Sequence, residues 1–128
     1  MKRTWLAVVF LGVVSIAFDA AAGERTTTPV SVDKTNRNAK GALGSARNSA
    51  DAIQFIGCEA FVSGGLFQGL CFANSPAGVS VLCTTSSATM VQTILGISGD
   101  SFISFSWDTT STCASLSVEN FSNLEPKR

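Results

Sequence analysis

The chain has 128 residues, with nine Lys and Arg against nine Asp and Glu, four cysteines and no histidine. That length suits one small domain, and the missing histidine removes the usual general base for serine or cysteine nucleophiles. From Ile53 to Leu124 there is no Lys or Arg, and only Glu59, Asp100, Asp108 and Glu119 carry charge; such a span repels phosphate backbones, which excludes nucleic acid as its partner.

Lys2 and Arg3 open the chain, an apolar run follows from Trp5 to Phe18, and Ala20-Ala21-Ala22 supplies small residues. This order reads as an export signal over residues 1–22, cleaved between Ala22 and Gly23. The run is shorter than the ~20 residues of a permanent span, so no membrane insertion is expected after cleavage. Residues 23–51 hold Arg25, Lys34, Arg37, Lys40 and Arg47 among Thr, Asn, Ser and Gly, with few large apolar groups. Too little apolar surface is present to offset ordering, so the segment reads as a flexible leader with a short helical turn near Ala39–Arg47.

The folded domain is expected over residues 52–122, with 123–128 as a tail. Ile53–Val62 is rich in Ile, Phe and Val, as strands are. Gly64-Gly65 supplies the positive φ of a tight hairpin, and Leu66–Ala73 returns as the second strand. Asn74–Gly78 is a turn cluster, and Val79–Thr84 is a third strand. Ser86 and Ser87 can cap a helix whose apolar face is Met90, Val91, Ile94 and Leu95, ending at Gly96. SFISFSW (Ser101–Trp107) alternates, with Ile103, Phe105 and Trp107 on one face. CASLSVEN, from Cys113, sets Ala114, Leu116 and Val118 inward. The order β-β-β-α-β-β makes the domain mainly β. It matches a small five-stranded OB-like barrel, and a curved antiparallel sheet with one short helix fits the same string.

In an exported chain Cys58, Cys71, Cys83 and Cys113 read as two disulfides. A two-residue Gly64-Gly65 loop sets Ser63 opposite Leu66 and, counting outward, Cys58 opposite Cys71, close enough to bond. That favours Cys58 with Cys71 and Cys83 with Cys113. A strict barrel conflicts with the second pair, because parallel third and fifth strands would hold Cys83 and Cys113 apart. Cys71–Cys83 with Cys58–Cys113 is the alternative. No CxxC spacing marks a zinc or redox site, and neither a metal nor a cofactor is expected.

The ordered set FIGC, LCFANSPAG, VLC, DSFISFSWD and TCASLSVEN with a terminal EPK resembles small exported bacterial proteins with a Cys-rich core behind a polar leader. The resemblance spans Asp51 to Lys127. It implies export and a shared fold, and it carries over no catalytic or binding residue.

Ser31–Lys34 has an SxxK pattern but lies in the leader, and Gly96–Gly99 is one residue too short for a GxSxG elbow. Asn120-Phe121-Ser122 is a glycosylation sequon. Phe55, Phe61, Phe67, Phe72, Phe102, Phe105, Trp107 and Phe121 exceed what one sheet face can hide. Phe67 beside the Gly-Gly turn and Trp107 with its neighbour Asp108 are therefore the candidate binding residues. The expected function is a secreted or periplasmic, non-enzymatic module that binds a protein or a neutral glycan. The alternatives are a small hydrolase using Glu59, Asp100 or Asp108, and a component that self-associates through SFISFSW as an edge strand.

Overall fold

A computed structural model describes residues 23–126, so the expected signal segment 1–22 lies outside the described residues. Nine elements follow in chain order: β1 (Ser31–Asp33), β2 (Asn38–Ala42), α1 (Leu43–Arg47), β3 (Phe55–Ser63), β4 (Leu66–Asn74), β5 (Ser80–Thr85), α2 (Ala88–Leu95), β6 (Phe102–Trp107) and β7 (Cys113–Glu119). The strands make two antiparallel sheets, β1-β2-β6-β7 and β3-β4-β5. Both contribute to one core built around Ile56, Cys71, Ala73, Cys83, Ile103 and Phe105.

The β3–β4 hairpin follows from its loop. Gly64 and Gly65 have φ of 59° and 78°, the left-handed pair that matches strand twist. Ser63 faces Leu66, Cys58 faces Cys71, and the two cysteines are bonded. The inner face of this sheet is small, with Ala60, Gly69, Cys71 and Ala73, and α2 lies against it. A Cβ on Gly69 would stand 2.5 Å from Ile94 Cδ1, so glycine is what lets the helix approach. Ser87 caps α2 by accepting from the Met90 amide, and Val91 and Ile94 are its buried residues, as helical spacing requires.

Cys83 and Cys113 are also bonded, with Cα atoms 5.0 Å apart, which ties β5 to β7 and one sheet to the other. Stagger removes the conflict seen in a strict barrel. Only the end of β5 meets the start of β7, at a parallel bridge between Thr84 and Thr112. There the Thr84 amide donates to the Ser111 carbonyl at 3.0 Å. Each disulfide contributes roughly 3–4 kcal/mol by loop entropy, a large share of a small domain's stability.

Three expectations about the strands need correction. No closed barrel forms. Running β3-β4-β5, across the Thr84–Thr112 bridge, to β7-β6 would close only if β6 paired with β3, and β2 takes that edge of β6 instead. For the same reason SFISFSW is not an edge strand, since β6 lies between β2 and β7. Ala114 is exposed rather than inward, because a bulge beside Trp107 shifts the register and pairs Trp107 with Cys113.

The polar segment 23–51 is part of the fold. It supplies β1, β2 and α1, and Val30, Ala39, Ala42 and Ala46 are buried. Small side chains make this work: a Cβ on Gly41 would press on Val30 at 3.0 Å. Backbone groups find partners as well. The Thr26 amide donates to the Asn123 carbonyl at 2.7 Å and the Ala42 amide to the Thr28 carbonyl at 3.1 Å. The Val30 amide donates to Gln54 Oε1 at 2.8 Å. Asp51 accepts from the Gln54 side chain and from the Gln54 and Ile53 amides, and these bonds lower its carboxyl to about 2. The C-terminal segment is stitched in too: Leu124 bridges Thr26, and the Glu125 carboxylate accepts from the Thr27 hydroxyl.

Gly44 shows how close this packing is. A Cβ there would collide with the Glu125 carbonyl oxygen, which is backbone and cannot swing aside. Gly44→Ala should therefore cost about 2–3 kcal/mol in urea denaturation, although alanine is the better helix former. Gly57→Ala should be near neutral, since its Cβ meets only the Phe55 ring at 3.7 Å.

Candidate functional site

Two turns and the start of a strand meet at one end of the seam between the sheets. The first is the β1–β2 loop, Lys34–Arg37. The Asp33 carboxylate shapes it by accepting from the Asn36 amide at 2.9 Å and the Asn36 Nδ2 at 2.6 Å. Those bonds hold the Asp33 carboxyl below its ordinary value. Arg37 ends the loop with φ of 51°, and its carbonyl accepts from the Trp107 amide at 3.2 Å. That bond seats the loop on β6.

The second turn joins β6 to β7. Asp108 Oδ1 accepts from the Thr110 amide at 2.8 Å, the Thr110 hydroxyl at 2.7 Å and the Thr112 amide at 2.9 Å. The Thr110 hydroxyl does most to hold the Asp108 carboxyl below its ordinary value, with the two amides next and the nearby Arg37 charge last. The third component is the start of β5, Ser80–Leu82, brought alongside by the Cys83–Cys113 bond. Between them lies a groove of about 490 Å³ lined by Lys34, Arg37, Val81, Leu82, Trp107 and Asp108, with Ser80, Thr109 and Ser111 completing the lining. Trp107 is half-buried. Its ring is backed by Phe105, centroids 6.0 Å apart and planes inclined by 49°.

Trp107 and Asp108 thus share one groove, but they differ in what they offer it. Trp107 presents a ring, whereas the Asp108 carboxylate is engaged by its own turn. Phe67 is elsewhere. It is 65 % exposed at the tip of the β3–β4 hairpin, near the start of β4 and five residues before Phe72, which pairs with Leu82 of the groove. Five strand residues put it roughly 17 Å away. Lys34 and Arg37 are the residues that sequence reasoning missed, because it placed their segment outside the fold.

The three carboxylates of the hydrolase alternative are not gathered. Asp100 and Asp108 lie beyond opposite ends of β6, eight residues apart in the chain. An extended strand of that length spans roughly 25 Å, well beyond the ~10 Å over which paired carboxylates cooperate. Glu59 is on β3, in the other sheet. Asn120 of the sequon is engaged as well. Its Oδ1 accepts from the Ser98 and Ser101 hydroxyls, and its Nδ2 donates to the Gly96 carbonyl at 3.5 Å. It latches the loop after α2 to the end of β7.

The aromatic surplus is visible on the other sheet. Among the aromatic side chains of the described residues only Phe105 is fully buried, and Phe55 packs against Phe72, ring centroids 5.4 Å apart, on the outer face of β3-β4-β5. Both disulfides suit oxidising surroundings. Among the described residues no helix is long and apolar enough to cross a membrane. Comparison with protein-family models, curated proteins and solved structures finds no match to the chain.

The Asp108 turn makes a pH prediction. A carboxyl held below its unfolded value of 3.8 stabilises the turn fully above that value and ceases to do so as pH falls through the lowered one. Carboxyl-carbon NMR should give Asp108 a midpoint under 3.8, with the Thr110 and Thr112 amide signals moving at the same midpoint.

Proposed function

We propose that the chain is an exported, non-enzymatic binding module, and that a protein or glycan ligand is held in the groove at Trp107. The observation that carries this reading is the convergence of two turns and the start of β5, from distant parts of the chain, around one backed indole. The turns are fixed by a disulfide and by short backbone bonds, so the groove is preformed. The groove is shallow and open, and it offers an aromatic wall with a few polar groups, the kinds of lining from which small-ligand sites are built. Export rests on the charged, apolar and small-residue order of residues 1–22 and agrees with the two disulfides. A hydrolase reading draws no support from the spacing of Glu59, Asp100 and Asp108.

One further reading has an observation behind it. The outer face of β3-β4-β5 exposes Phe55 and Leu82 beside half-buried Phe61, Leu70 and Phe72, and a self-associating chain would use this face rather than β6. Sedimentation velocity across a hundredfold concentration range separates the two, because a binding module acting through the groove stays monomeric.

The test of the groove itself is capture on an array of immobilised glycans and proteins, using the oxidised chain. Trp107→Ala should lower capture at least about tenfold, the loss of one well-packed aromatic contact, while Phe67→Ala leaves it unchanged. Loss with Phe67→Ala and not with Trp107→Ala would move the site to the hairpin tip and overturn the reading.

A further inference from the structure

The groove is not electrically neutral, and its charge has an origin that narrows the ligand. Ile53 to Leu124 contains no cation at all. Every Lys and Arg of the described residues therefore lies in the segment 23–51, and the β1–β2 loop carries two of them, Lys34 and Arg37, into a single groove. Both are exposed on the loop. The one acid of the lining, Asp108, has Oδ1 occupied by three bonds of its own turn. Asp108 keeps its charge in that turn and lies near Arg37, so the groove sets two cations against one carboxylate, beside an aromatic wall and three hydroxyl-bearing residues.

We propose that this groove binds a saccharide carrying a carboxylate, of the uronic-acid class. The inference rests on the reading that the groove is the binding site. Each part of such a sugar has a counterpart on the wall. The apolar C–H face of a pyranose ring packs against the negative face of an indole, and Trp107 is held for this by Phe105 behind it and the Arg37 carbonyl on its amide. The carboxylate meets Arg37, whose planar fork matches it with two parallel hydrogen bonds, with Lys34 as a second point charge. Ring hydroxyls meet Ser80, Thr109 and Ser111. The volume of about 490 Å³ lies within the range of small-ligand sites. A neutral glycan would leave the excess positive charge of the lining unmatched. A phosphate polymer would meet only two cations on a domain otherwise acidic, too few for a strand whose affinity grows with each phosphate neutralised.

Titration of the oxidised chain, followed by the indole signal of Trp107 and by calorimetry, decides this with four probes. They are trigalacturonic acid, its neutral methyl ester, a neutral glucose trisaccharide and a triglutamate peptide. The acid should bind and shift the Trp107 signal, with an affinity at least about tenfold above that of the ester, the size of effect expected when one charge-assisted pair is removed. Arg37→Gln and Lys34→Gln, both on an exposed loop, should each weaken the acid and leave the ester unchanged. Raising salt should weaken the acid alone.

Equal binding of acid and ester would overturn the carboxylate assignment and leave the groove standing as a site. Triglutamate binding as tightly as the uronate would overturn the saccharide in favour of an acidic peptide. Silence of all four probes at Trp107 would overturn the inference, while the Trp107-dependent capture described above still decides the groove.

Discussion

The bond between Cys83 and Cys113 is the constraint on which the remaining structure depends. It is the covalent link between the two sheets, and it sits where only one backbone bridge, Thr84 to Thr112, otherwise joins them. In a domain of this size a covalent link between the sheets adds to the apolar burial they share. The bond fixes the offset of β5 against β7, and that offset places Ser80–Leu82 beside the β6–β7 turn. A bulge next to Trp107 then re-aims the strand end toward the same place. The groove is the open end of a seam whose closed part is a disulfide.

Filling the free edge of β6 is the second structural decision. A five-stranded chain of this order would have to curl β6 back onto β3. The protein adds β2 to that edge instead, so the sheet grows flat on one side and the barrel stays open. The same act protects SFISFSW, a charge-free and strongly β-forming stretch that would be an aggregation hazard if left bare. It also carries the β1–β2 loop to the groove. Packing, protection of an edge and delivery of cations all come from one short strand.

Much of this was legible in the residues. The Gly64-Gly65 loop set the register of β3 and β4 and with it the Cys58–Cys71 pair. Ser87, Val91 and Ile94 marked α2, and the alternation of Ile103 and Phe105 marked the inner face of β6. The segment 23–51 was misjudged because large apolar side chains are a poor measure of burial where Ala, Gly and Ser do the packing. Ala39, Ala42, Gly44 and Ser45 bury by letting backbone approach backbone, and the cost of ordering is offset by hydrogen bonds to Gln54 and Asn123. One local signal was present: Val30 and Val32 alternate into Asp33, and Asp33 with Asn36 is hairpin-turn chemistry. Of the site, Trp107 and Asp108 were legible as neighbours on a turn. Lys34 and Arg37 were not, since 70 residues of chain separate Arg37 from Trp107 and only β2–β6 pairing brings them together.

That pairing is the central claim, because without it the groove has neither its cations nor its third wall. Hydrogen–deuterium exchange on the oxidised chain tests it most directly. Amides of the peptide covering 38–42 should be protected to the same order as those of 102–107, the strand they pair with. Exchange of 38–42 at the rate of unstructured chain, with 102–107 still protected, would contradict it.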